Sequence, residues 1–275
     1  MDRDNCSFTS PSRSCRTPSF YTSANLLPSP PLFLKKQLSA YISVPYSILL
    51  AEHSLSDLNR MKAIHWIGKV VIEQGQKLST FFQAVSIIDR FLSVSKNQDP
   101  KCFGSFTIAS LILASKIEEK RPLSCRNFSM GLDELIEREL EVTKALNFNI
   151  KSITPDQLLS CAIEQFTEID EESISFIKRT STSLLVMSTY NLKILSLLDT
   201  KTLVASCIAI SLKVLLSYRP EESKCIHYLK ELPFIMQVKA EEIEKHQHFL
   251  REEVVNFTLD TQFSNTNDEL VKLEV

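Results

Sequence analysis

Eight stretches of the chain carry apolar residues at three- and four-residue spacing: 61–71, 81–92, 106–117, 132–146, 158–166, 174–187, 203–216 and 238–255. That period lines apolar side chains along one face of an α-helix, and such a face is stable only when buried against another element. Prolines 100, 122, 155, 220 and 233 punctuate these runs. Each removes a backbone donor and restricts the residue before it, so each is expected to break a helix. No two segments alternate apolar and polar residues as a half-buried hairpin would. The expected fold class is all-α, and a chain of 275 residues can bury about 70–75% of the surface it exposes when unfolded.

A faint internal repeat divides the helices into two sets. Ile108-Ala109-Ser110-Leu111-Ile112 and Val204-Ala205-Ser206-Cys207-Ile208 match in Ala, Ser and the final Ile at one constant offset, and each run ends near an Arg-Pro, at 121–122 and 219–220. Both stretches are nearly apolar all round, with small residues that admit close neighbours, as a central helix enclosed by others requires. Two tandem five-helix bundles are expected, over residues 41–152 and 153–256, joined near Ile150–Pro155. Six of the eleven prolines fall within the first 45 residues among many Ser and Thr, so residues 1–40 are expected to be a disordered arm. Ser10-Pro11, Thr17-Pro18 and Ser29-Pro30 are minimal proline-directed phosphorylation sites within it. Residues 257–275, polar and acidic, are expected to be a flexible tail.

Several classes of function are disfavoured. A net charge of −2 supplies no basic field for direct nucleic-acid binding and no polybasic face for anionic lipid. The only glycines are Gly68, Gly75, Gly104 and Gly131, so the closely spaced glycines of phosphate-cradling loops are missing. Seven cysteines form no CxxC pair and residues 1–25 lack a secretory apolar run, which points to a reducing, intracellular compartment. The best membrane-span candidate, Leu203–Tyr218, is interrupted by Lys213 and falls short of ~18 uninterrupted apolar residues. The five histidines offer no metal-ligand partnership beyond His246-x-His248, a spacing that splays two rings apart on a helix. No cofactor, metal, membrane or small-molecule substrate is expected, and an all-α enzyme is the weakest of the possible functions.

Single residues stand out against this background. Lys116 follows an uncharged helical run and is followed at once by Glu118, Glu119, Lys120, Arg121 and Pro122. Catalysis by such a lysine needs a partner nucleophile or cofactor pocket, and no accompanying motif supplies one. Its cation interacts favourably with a helix C-terminus by ~0.3–1 kcal/mol, a generic role. Arg60 and Asp89 sit on helices whose other faces are apolar, so each is placed to neutralise the other between packed helices. Trp66 shares an amphipathic helix with Ile64, Ile67 and Val70, and is expected in the core.

Three segments, RMKAIHWIGKV at 60–70, AVSIIDRFLS at 84–93 and ASLILASKIEEKRPLS at 109–124, together with ERELEVTKALNFNI at 137–150, resemble the cyclin box. The resemblance covers about residues 55–155 strongly and 155–255 weakly, and says nothing of the first 40. It implies that these pieces are the first, second, third and fifth helices of an N-terminal five-helix repeat, followed by a second repeat of the same fold. It implies a regulatory subunit, not an enzyme, that binds and activates a cyclin-dependent protein kinase in cell-cycle control, acting in the nucleus or cytoplasm. In the family a lysine at the position of Lys116 and a glutamate at that of Glu139 hold backbone groups at the kinase's regulatory helix; Phe148 and Ile150 fall at apolar contact positions. Arg60 and Asp89 match the family's buried pair.

The chain also departs from the family. Thr143 stands where many cyclins have a leucine against the kinase. Aligned through Trp66, the apolar substrate-docking groove becomes Asn59, Lys62 and Ala63, its glutamine becomes Gly104, and Lys69 replaces the usual acid, which puts a groove for leucine-containing substrate motifs in doubt. The segment around Arg60–Val70 most resembles D-type cyclins, especially those of plants, although no LxCxE motif lies near the N-terminus; nor does any RxxL motif of the A and B types occur. The alternative is a cyclin-fold interaction or transcription-linked scaffold that activates no kinase.

Overall fold

The computed structural model describes residue 44 and residues 55–95, 100–124, 126, 128 and 130–258. The expected arm at 1–40 and the tail beyond Thr258 lie outside these residues. The described chain is helical throughout: α1 (Asp57–Glu73), α2 (Leu78–Val94), α3 (Phe103–Glu118), α4 (Leu132–Ala145), α5 (Pro155–Ile163), α6 (Glu171–Tyr190), α7 (Leu192–Leu197), α8 (Thr200–Tyr218), α9 (Lys224–Met236) and α10 (Ala240–Thr258). No strand occurs among the described residues.

Local chemistry explains where these helices begin. The Ser56, Asp170, Asn191 and Asp199 side chains accept backbone N–H groups at the starts of α1, α6, α7 and α8, satisfying donors the helix cannot satisfy itself. Pro155 opens α5 at the position where its missing N–H costs nothing. The start of α2 is capped from a distance: the Glu119 carboxylate, just beyond α3, accepts from the Lys77 N–H and the Thr80 hydroxyl, each at 2.6 Å.

The repeat-bearing helices are the two hubs. In the first half α3 packs against α1, α2 and α4; in the second, α8 packs against α5, α6, α9 and α10. Ala109, Ser110, Ala205 and Ser206 are all fully buried, small enough for neighbouring backbones to approach. The halves meet through α1 with α6 and α2 with α5. By length and apolar content α8 could cross a membrane, yet 72% of its apolar window is buried by its neighbours, as befits the centre of a bundle.

Three expectations change. α7 and α9 carry no helical run in the sequence reading, and Pro233, read as a breaker, lies inside α9. That helix runs on past it to Met236 and stops at Gln237, whose φ is +55°. Cys225, Tyr228, Leu232 and Met236 nonetheless form its buried stripe. The fourth of the five helices expected in the first half would fall on residues 123–131, a segment that lies partly outside the described residues. Finally, α10 extends to Thr258, into the segment assigned to the tail.

Candidate functional site

Arg60 and Asp89 meet inside the fold. The Arg60 guanidinium donates Nε to Asp89 Oδ1 at 2.9 Å and Nη2 to Oδ2 at 2.7 Å, a two-pronged pair, and donates Nη1 to the Thr189 carbonyl at 2.9 Å. Both side chains are sealed, 2% and 0% exposed. One guanidinium thus ties α1 and α2 to the end of α6, across the meeting of the two halves. Its role is structural.

Lys116 and Glu139 also meet, but at the surface. Lys116 occupies the last turn of α3 and Glu139 the middle of α4. Lys116 Nζ donates to Glu139 Oε1 and Oε2 at 2.6 and 2.7 Å, and the lysine side chain is 48% exposed against 14% for the glutamate. α4 is held on α3 below this pair by buried Leu135 and Val142, and by the Arg138 guanidinium stacked 5.3 Å from the Phe106 ring centre.

Beside the pair runs a half-exposed apolar ridge. Leu132, Ile136 and Leu140 recur every fourth residue along α4 and are 57%, 52% and 45% exposed. Ile136, Glu139, Leu140 and Thr143 have the i, i+3, i+4, i+7 relation of one helix face. The sequence reading missed these three apolar residues; the signal was present as a second stripe in the 132–146 run.

Phe148 extends this surface past the end of α4, and Ile150 lies half-buried two residues on, packed against the core. The helix closes with the Asn147 N–H on the Lys144 carbonyl and the Phe148 N–H on the Thr143 carbonyl, a Schellman ending. Asn147 and Phe148 have φ of +50° and +60°. Asparagine tolerates that left-handed region; a phenylalanine there is costly, by about 1–2 kcal/mol. An apolar residue at this point of the motif commonly packs back on the helix, but here the facing residue is Thr143 and Phe148 is 72% exposed.

A second concave surface lies between α1 and α3: a cleft of about 630 Å³ with Trp66, Val70, Phe103, Ile108 and Phe128 along its walls and Asn59, Lys62, Glu73 and Gln74 as its polar groups. One expectation is corrected here. Trp66 is half-buried, its ring 5.7 Å from that of Phe128, and it lines the cleft instead of lying within the core. Asn59, Lys62 and Gly104 line this cleft, with Glu73 among its polar groups. No group of three or more His, Cys, Asp or Glu side chains that could hold a metal occurs among the described residues.

A surface ion pair bordered by apolar side chains has no chemistry of its own to perform; it can grip. Residues 32–151 match the family model of the cyclin N-terminal domain. The chain carries a cyclin N-terminal domain over this segment. The chain is 34% identical over 100 residues to cyclin-SDS of Arabidopsis thaliana, a match covering 34% of the chain and 17% of that protein. It is 27% identical over 161 residues to human G1/S-specific cyclin-D1, covering 55% of the chain and 53% of the relative. The matches therefore span between about a sixth and about half of these relatives' lengths. Among solved structures, a viral cyclin from herpesvirus saimiri superposes with a TM-score of 0.64 over 82% of this chain and 96% of its own, at 15% identity. That likeness is one of fold.

Proposed function

We propose that the chain is a cyclin, a regulatory subunit that binds a cyclin-dependent Ser/Thr protein kinase and activates it in cell-cycle control. The observation that carries the proposal is the Lys116–Glu139 pair, exposed on its lysine side and set between the α4 ridge and Phe148. A cation and an anion at 2.6 Å present both a donor and an acceptor to backbone groups of an approaching helix. Leu132, Ile136, Leu140 and Phe148 offer apolar area around them, the arrangement of a desolvated centre with hydrophobic anchors. Pressing on the kinase's regulatory helix would move it inward so that its glutamate pairs with the nucleotide-orienting lysine. The action is mechanical, and the cyclin needs no catalytic group. A D-type affinity is proposed from the α1 segment and from the longer match to cyclin-D1 than to cyclin-SDS; nuclear and cytoplasmic location is proposed from the family.

The test is co-purification of the full chain with each of a panel of cyclin-dependent kinases, followed by a phosphorylation assay. Stable binding with activation, lost in Lys116→Ala/Glu139→Ala while thermal unfolding is unchanged, supports the proposal. Binding that survives the double substitution refutes the interface. A second reading, an adaptor of the same fold that binds without activating, is favoured by the α1/α3 cleft, whose polar groups at Asn59, Lys62 and Gln74 differ from the family's apolar groove; kinase binding without stimulated phosphorylation would select it.

A further inference from the structure

Phe148 is an anomaly of energy and of exposure. It is a bulky side chain in a left-handed backbone conformation, at a helix end where packing back on the helix is the usual outcome, and it faces solvent instead. Something outside the turn must hold it there, because strained residues persist only when their surroundings over-determine them.

The holding groups lie on α2. Gln83, Ser86 and Arg90 stand at i, i+3 and i+7 on one face of that helix, directed at the segment that follows the turn. Gln83 Nε2 donates to the Ile150 carbonyl at 3.1 Å and Arg90 Nη1 donates to the same oxygen at 3.0 Å. Arg90 Nη2 donates to the Asn149 carbonyl. Ser86 Oγ and Ser152 Oγ are 2.6 Å apart. Gln83 is fully buried and Arg90 is 5% exposed. The carbonyls of the two residues after Phe148 are therefore fixed by buried donors of a rigid helix, one of them charged and so roughly twice as strong as a neutral donor. With the helix capped at Leu146 on one side and the chain held at Asn149 and Ile150 on the other, Asn147 and Phe148 between them are kept in the left-handed conformation.

We infer that Arg90 and Gln83 are positioning residues for partner recognition: they lock the 147–150 turn in its left-handed form and so present Phe148 as a pre-set apolar knob for a socket on the kinase. This rests on the functional proposal above for the identity of the partner, but the locking itself does not. The gain is preorganisation, since a side chain already held in its bound place loses less freedom on association. Arg90 acts on recognition through the turn, whose Asn149 and Ile150 carbonyls its guanidinium holds.

The test uses the full chain and two readouts. Hydrogen exchange is followed at the Phe148 and Asn149 amides, which donate to the Thr143 and Leu146 carbonyls, in wild type and in Arg90→Met, which keeps the length of the side chain and removes its donors. Exchange at these two amides should accelerate on the order of tenfold or more while amides of α8 are unchanged, the signature of local opening. Affinity is then measured for the kinase recovered in the co-purification. Arg90→Met and Phe148→Ala should each weaken binding by about tenfold, and the double variant should be no weaker than either alone, since both remove one device. Arg90→Lys, which restores a charged donor, should recover part of both effects. Should Arg90→Met fail to fold, Gln83→Leu carries the same two measurements.

Unchanged exchange at Phe148 and Asn149 overturns the inference, as do additive affinity losses or a loss confined to Phe148→Ala. Accelerated exchange at the turn, with kinase binding indifferent to Phe148→Ala, Arg90→Met and Lys116→Ala/Glu139→Ala alike, leaves the lock standing and overturns the partner assignment instead.

Discussion

Replacing Asp89 by alanine isolates the energetic core of the fold. The substitution strips the guanidinium of Arg60 of both carboxylate bonds, at 2.9 and 2.7 Å, and leaves it with the Thr189 carbonyl among the partners described above. The arginine cannot retreat to water, because its side chain is 2% exposed between α1, α2 and α6. A buried charge deprived of its partner costs about 3–5 kcal/mol, a large part of the ~5–15 kcal/mol that holds a domain folded. For a protein of this size each kcal/mol moves Tm by about 2–4 °C, so a fall on the order of 6–20 °C is expected. Thermal unfolding followed by circular dichroism, without any kinase present, reads it directly. The variant Arg60→Met/Asp89→Leu should recover most of the loss, since well-packed apolar residues replace a buried pair at little cost. A Tm for Asp89→Ala within a degree or two of wild type would show that the pair does not carry the junction of the two halves.

Other expected outcomes follow from the same geometry. Ile136→Ser removes an exposed side chain, so stability should stay within about 0.5 kcal/mol of wild type while kinase affinity, measured by calorimetry, falls about tenfold or more; unchanged affinity would remove the α4 ridge from the interface. Lys193, together with Asn191, donates to the Glu253 carboxylate and holds its pKa below the usual range. A carboxyl depressed in this way adds stability above its ordinary pKa and loses it as pH falls through the folded value, so Glu253→Gln should flatten the acid limb of Tm against pH by about 0.2–1 kcal/mol; superimposable curves would mean the α7–α10 link is worth nothing. Burial pushes the Cys207 thiol well above its usual range. Peptide mapping after a brief thiol-reagent pulse should find Cys207 unmodified until the protein is denatured, and rapid native labelling would show that the α8 core opens readily.

The all-helical class was legible because apolar period and proline punctuation are local properties, and the two hub helices were legible because enclosure on all sides demands an apolar sequence all round. The pairing of Lys116 with Glu139 came from the family resemblance, since it joins residues far apart in the chain, whereas Arg60 and Asp89 also stood out as opposite charges on otherwise apolar helices. Residues 132–146 show the boundary most clearly. That run holds two apolar stripes, Leu135 with Val142 and Leu132 with Ile136 and Leu140, and nothing in composition or spacing says which one faces α3 and which one faces solvent. Packing of α4 on α3 made that choice. The same holds for the turn beyond it. A chain without glycine after position 131 must end its later helices with ordinary residues, which the sequence alone implies; that the burden falls on Phe148, and that buried donors of α2 hold it outward, is decided only when distant segments meet. Periodicity is written into neighbouring residues, whereas the face that remains uncovered, and the strain that can be sustained there, depend on what the rest of the fold places alongside.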